Sequence, residues 1–139
     1  MGPDKTRMDA EKHEKATIEA FIVPEHQTQY VSRLSSEKTR IDFINRRFYH
    51  MRDLEPLYAH RIEPRLQFGP AILEDLRSRG APETCYVFGG DELDQRVVPL
   101  EEALSRVVGS NSGTFISCIP GKLAYFEGEE QSERYVLER

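Results

Sequence analysis

The sequence predicts a single α+β domain, a mainly antiparallel sheet of about five strands with three to four helices packed on it. Three observations carry that prediction. Several short runs alternate apolar and polar residues with period two between Gly or Pro boundaries, the runs between them repeat apolar residues every three or four positions, and no segment recurs at a fixed period. At 139 residues the chain is long enough for one substantial core and short for two.

Residues 1–14 show no apolar periodicity and are expected to form a flexible leader, leaving 15–139 as the domain. In "KATIEAFIVP", Ala16, Ile18, Ala20 and Ile22 alternate with Thr17, Glu19, Phe21 and Val23, which predicts a first strand closed by Pro24. A short helix over Glu25 to Leu34 then buries Tyr30, Val31 and Leu34. Ser35 and Ser36 offer an N-cap for a second helix reaching about Asp53, with Ile41, Ile44, Phe48 and Met51 as its core stripe and Arg40, Arg46 and Arg47 directed largely away. The following "LEPLYAHRIEPRLQFGP" holds three prolines and reads as a connection over the surface.

Pro70 near the start and Gly80 past the end bracket a helix with Ile72, Leu73 and Leu76 inside. "TCYVF" is a strand, "GGDELDQ" a polar turn and "RVV" a short returning strand. Pro99 opens a helix whose stripe is Leu100, Ala103, Leu104, Val107 and Val108, and Gly109 ends it. "TFISCI" and "KLAYFE" form a hairpin turned at Pro120-Gly121, a pair suited to a type II turn. Type II twists poorly in two-residue hairpins, so a bulge or longer loop is expected there. Pairing Phe115 with Phe126, Ile116 with Tyr125 and Ser117 with Ala124 makes both hairpin faces substantially apolar. "EGEEQSE" is an acidic loop, and "RYVLE" closes the sheet.

The longest apolar runs are a few residues, far below the roughly 20 that span a bilayer, and the charged N-terminus has no apolar signal core. A cytoplasmic protein is the expectation. Net charge is −5, distributed unevenly: from Gly80 onward eleven Asp/Glu face five Lys/Arg. An acidic chain argues against broad affinity for phosphate backbones. Cys85 and Cys118 lack a C-x-x-C partner and read as reduced core residues, and His13, His26, His50 and His60 show no ligand spacing, so neither a metal nor a cofactor is expected.

Motifs with chemical meaning are few. Ser117 and Cys118 lack the G-x-S-x-G elbow and point to opposite faces, which argues against a joint nucleophile. Pro120-Gly121-Lys122 lacks the glycine spacing and following helix of a phosphate loop. What stands out is a hairpin that needs cover on both sides, from this chain's helices or from something else. The reading that follows is a non-catalytic binding protein working by protein–protein contact, a homodimer being the simplest case. Its expected face comprises Phe115, Ser117, Ala124 and Phe126, rimmed by Lys122 and Glu127. One alternative is a hydrolase-like enzyme using His50, His60 and Arg46 with neighbouring acids. Another is an RNA- or DNA-binding module on the Arg40 to Arg52 helix, with Arg40, Arg46, Arg47 and Tyr49.

Overall fold

A computed structural model describes residues 2–90 and 92–139, with side chains described from residue 10 onward. Among them, five α-helices and six strands follow one another as α1 (Gly2–Phe21), α2 (Pro24–Leu34), α3 (Glu37–Arg47), β1 (Ala59–Arg61), α4 (Gly69–Ser78), β2 (Thr84–Gly89), β3 (Arg96–Pro99), α5 (Leu100–Val107), β4 (Thr114–Ile119), β5 (Leu123–Glu127) and β6 (Arg134–Glu138). The strands form one sheet in the order β1-β6-β5-β4-β2-β3 with every neighbour antiparallel, so the class is α+β with one strand and at least one helix more than expected.

The additional helix replaces the expected first strand. Thr17, Ile18, Phe21 and Ile22 are buried while Lys15 and Glu19 are exposed, a period of three to four and not of two. A few alternating residues fit both periods, and the helix-favouring Ala, Glu and Lys of residues 10–16 decide between them because helices propagate cooperatively. Of the leader expected over residues 1–14, Met1 lies outside the described residues and the remainder belongs to α1. Pro24, expected to end a strand, instead opens α2 in its first turn, where its missing N–H is no loss.

Helix α3 is shorter than its expected reach to Asp53. Phe48 leaves the helix at its C-cap and enters the core against Phe115 and Phe88. The chain then returns beside α1: Val23 N–H donates to Asp53 O at 2.8 Å and Glu55 N–H to Phe21 O at 2.7 Å. The buried residues of α3 are Arg40, Phe43 and Ile44, whereas Ile41, expected in the stripe, is 68% exposed. Ser36 occupies the N-cap position but makes no side-chain cap bond. The connection after Asp53 contains β1, a three-residue edge strand pairing with β6.

The hairpin register is as expected from Phe115↔Phe126 through Ser117↔Ala124 and then slips at Cys118, so that Ile119 pairs with Leu123. Lys122 N–H donates to Ile119 O at 2.9 Å, and Gly121 has φ 72°, the left-handed conformation a type II turn demands at that position. The bulge reconciles this turn with the twist of the strands.

Both sheet faces are covered by the chain's own helices. Tyr86, Phe88, Phe115, Ala124, Phe126 and Leu137 pack with residues of α1, α2 and α3. On the other face Cys85, Val87, Ile116, Cys118, Leu123, Tyr125 and Val136 pack with α4 and α5. Each face therefore has its own apolar layer, the arrangement two-sided apolar strands require.

Candidate functional site

The expected binding face is interior. Phe115, Ser117, Ala124 and Phe126 are 1%, 0%, 1% and 0% exposed beneath α1, α2 and α3. Only Lys122, at the hairpin turn, is exposed. Glu127, expected on the rim, is fully buried and serves the fold. Its carboxylate accepts the backbone N–H of Gly109 at 3.0 Å and Asn111 at 2.7 Å and the Tyr125 hydroxyl at 2.7 Å, with Arg134 Nε at 3.5 Å. The loop after α5 is thus an amide cradle filled by the chain's own anion.

The residues of the enzyme alternative go to separate neighbours. His50 Nε2 lies 2.7 Å from Glu129 at the surface, Arg46 pairs with Asp42 at 3.2 Å on an exposed stretch of α3, and His60 stands on edge strand β1 opposite Val136. No hydrogen bond, ion pair or ring contact joins any two of the three among the described residues. The basic surface of the nucleic-acid alternative is also depleted. Arg40 is buried in ion pairs, Arg47 lies 3.7 Å from Asp53 with its guanidinium over Tyr30 and Phe43, and Arg52 lies beyond the end of α3.

Ser117 does meet a histidine, from 104 positions away. Its Oγ is 2.7 Å from His13 Nδ1 and 3.4 Å from Thr17 Oγ1, with the His13 ring stacked on Tyr86 at 5.4 Å. Full burial of Ser117 keeps its hydroxyl out of reach of a substrate carbonyl, and the contact joins α1 to β4. Burial likewise pushes the Cys85 thiol up to about 12 and the Cys118 thiol higher still, away from nucleophilic thiolate. Among the described residues no group of three or more His, Cys, Asp or Glu side chains is arranged to hold a metal ion.

Two concave features stand out among the described residues. The smaller, about 210 Å³, lies between α5 and the ends of β2 and β4 and is lined by Leu93, Arg106 and the hydroxyls of Ser110, Ser112 and Thr114 among others. Ser110 donates its only proton to Val107 O at 2.7 Å, so Ser112 donates to Ser110 at 2.9 Å and Thr114 to Ser112 at 3.0 Å. All three hydroxyl protons are committed, and this hollow lacks the free hydroxyl donors that a phosphate would seek.

The larger is a cleft of about 630 Å³ between α1, α2 and α3. Ala10, Ile18, Val31 and Leu34 form its aliphatic walls, and Glu11, Lys15, Glu37 and Gln95 its rim. Its floor is Arg40, 5% exposed. The guanidinium donates from Nη1 to Glu14 Oε1 at 2.8 Å and Leu34 O at 2.9 Å, from Nη2 to Glu14 Oε2 at 2.9 Å and Asp94 Oδ1 at 2.7 Å, and from Nε to Asp94 Oδ2 at 3.0 Å. Glu14 also accepts the Tyr86 hydroxyl, and Asp94 accepts the Gly89 N–H at 2.8 Å. Desolvation first, then the negative charge of Glu14, raises the Tyr86 hydroxyl well above its ordinary range and keeps it a donor. Sequence reading missed this constellation because its members come from α1, α3 and the β2–β3 connection. In the sequence Arg40 stands three and four positions before Phe43 and Ile44, on the buried face of α3, but the stripe read through Ile41 directed it away.

Comparison with protein-family models, with curated proteins and with solved structures found no match for this chain. The functional reading therefore stands on the geometry of the molecule itself.

Proposed function

We propose that this chain is a non-catalytic binding protein acting through protein–protein contact, and that its binding surface is the α1–α2–α3 cleft in place of the buried hairpin face. The observation that carries the reading is the cleft between the three helices, with an exposed apolar side chain on the α3 face that carries its rim. Glu37 on the rim and Ile41, 68% exposed, are four residues apart and share one face of α3. The volume lies within the range of recognition sites, and aliphatic walls with a charged rim are their usual composition. An exposed extension along a helix suits a polypeptide segment better than an enclosed small molecule.

The test is selection of a phage-displayed random peptide library on the intact chain, counter-selected on an Ile41→Glu variant, with enriched peptides titrated by amide NMR. Shifts centred on Ala10, Ile18, Val31, Leu34 and Ile41 are expected, and the variant should bind at least roughly tenfold more weakly, the loss of one buried apolar anchor. Absence of enrichment, or shifts confined to another surface, overturns the reading. Light scattering across a concentration series covers the case of a second copy as partner: a dimer that Ile41→Glu dissociates supports a homotypic use of the same cleft.

A further inference from the structure

We infer that the partner segment enters the cleft with a lysine or arginine side chain, its aliphatic stem along the walls and its cationic head over the floor; this deepens the reading of the cleft as a protein-binding surface and rests on it. A guanidinium has five N–H bonds, and the five contacts of Arg40 use all of them. The one buried cation of the floor therefore has nothing left to offer an anion.

The carboxylates are in the opposite condition. Glu14 accepts three hydrogen bonds, two from Arg40 and one from Tyr86, and Asp94 accepts three, two from Arg40 and one from Gly89. Two carboxylate oxygens present about four lone-pair sites, so each group retains acceptor capacity. The charged side chains that line the cleft, Glu11, Glu14 and Glu37 against Lys15 and Arg40, leave it formally at −1. Glu14 lines the cleft directly and its side chain keeps 12% exposure, so an incoming donor has access to it. Glu37 on the rim adds a carboxylate near the same opening.

The walls supply the second half of the match. Ile18, Val31 and Leu34 cover the alkyl portion of a long basic side chain while its head reaches the polar floor, the arrangement such side chains adopt at apolar surfaces. A carboxylate head meets the Glu14 carboxylate, with Lys15 the one ammonium at the rim against Glu11 and Glu37, whereas a neutral amide or hydroxyl donates to Glu14 but brings no charge to offset it. Charge-assisted contacts to a half-enclosed carboxylate make the cation the selective element, while the aliphatic contacts are indifferent to sequence.

The experiment uses the peptides enriched on the intact chain by the library above. Each is synthesised with its Lys or Arg kept, replaced by Gln, or replaced by Met, and titrated by calorimetry at low and high salt against the wild-type chain and against Glu37→Lys. The expected result is a Lys or Arg beside an apolar residue in the enriched set, a roughly tenfold or greater loss on replacement by Gln, weakening with salt, and weaker binding to Glu37→Lys. Peptides that shift the cleft amides yet contain no cation, or that tolerate the Gln replacement, overturn this inference while the cleft remains the binding surface. Peptides that shift other amides overturn the cleft itself. Glu37 is exposed and outside the Arg40 network, so its variant reads binding apart from folding.

Discussion

Arg40 carries its charge to a site where only 5% of the residue remains exposed, and the structure can hold it there because every N–H finds an oxygen. Removing it would strand Glu14 and Asp94, whose side chains are 12% and 19% exposed, as two facing negative charges. Breaking such a network costs more than the network adds over an apolar substitute. Arg40→Met is accordingly expected to lower the unfolding free energy by about 3–5 kcal/mol in a denaturant titration. Arg40→Lys should recover only part of that, since one ammonium cannot bind two carboxylates in parallel pairs. A loss under about 1 kcal/mol for Arg40→Met would show the network to be solvated and unimportant. This residue was readable in the sequence as an arginine on a helix, but its five acceptors lie 6 to 54 positions away.

At the scale of elements, the junction of α3 with the sheet depends on close backbone approach. Gly89, at the end of β2, has φ 88°, and a Cβ there would sit 2.5 Å from Gly113 O and 2.7 Å from the Phe48 ring. Gly121 in the hairpin turn has φ 72°, but a Cβ there would meet only Ala16 at an ordinary 3.5 Å. Both alanine substitutions force a left-handed conformation, and only the first also forces the backbone apart. Gly121→Ala should cost about 1–2 kcal/mol in thermal or chemical unfolding, and Gly89→Ala at least about twice as much. Equal losses would mean that the contact between Phe48 and the β2 end yields easily. The hairpin turn was legible because Pro-Gly is a local signal, whereas the closeness of Phe48 to Gly89 joins segments 41 positions apart in number and has no local signature.

For the whole molecule, burial sets the response to alkali. Tyr30, Tyr86 and Tyr125 are fully buried, and desolvation before any other cause raises each hydroxyl above its ordinary value of 10.0. Their carboxylate neighbours, Asp53, Glu14 and Glu127, add to the rise. In the unfolded chain these groups lose protons near pH 10.0 while the folded chain retains them, so the folded state binds more protons and stability falls as pH increases. The buried thiols begin the same trend from about their ordinary 9.0. Stability should thus stay level on these groups' account below about pH 8.5 and decline above it, each ionising group contributing up to about 1.4 kcal/mol per pH unit. Denaturant midpoints measured across that range, with the tyrosinate absorbance of three of the six tyrosines, Tyr30, Tyr86 and Tyr125, appearing only as the fold is lost, check the prediction. Ionisation of those three in a chain that stays folded, assigned from the difference spectra of a Tyr→Phe variant set, would contradict it. The sheet edges are guarded as well: β1 is three residues long between Pro56 and Pro64, and β3 ends in Pro99, which discourages growth of the sheet by edge pairing.

The sequence by itself determined what is local. Four of the five helices and five of the six strands, the turn at Pro120-Gly121 and the facing of Phe115 with Phe126 follow from spacing, caps and alternation within a few residues. The first helix escaped because alternation in "KATIEAFIVP" fits two periods until the burial of Phe21 and Ile22 together settles it. Which layer covers each face of the hairpin was decided only when α1, α2 and α3 folded over one side and α4 and α5 over the other. The Arg40 floor and the cleft above it were decided at the same stage. Apolar patterning states how much surface must be hidden, and electrostatics states that a buried charge needs partners, but both are satisfied by whichever segments arrive, and that is a property of the assembled fold.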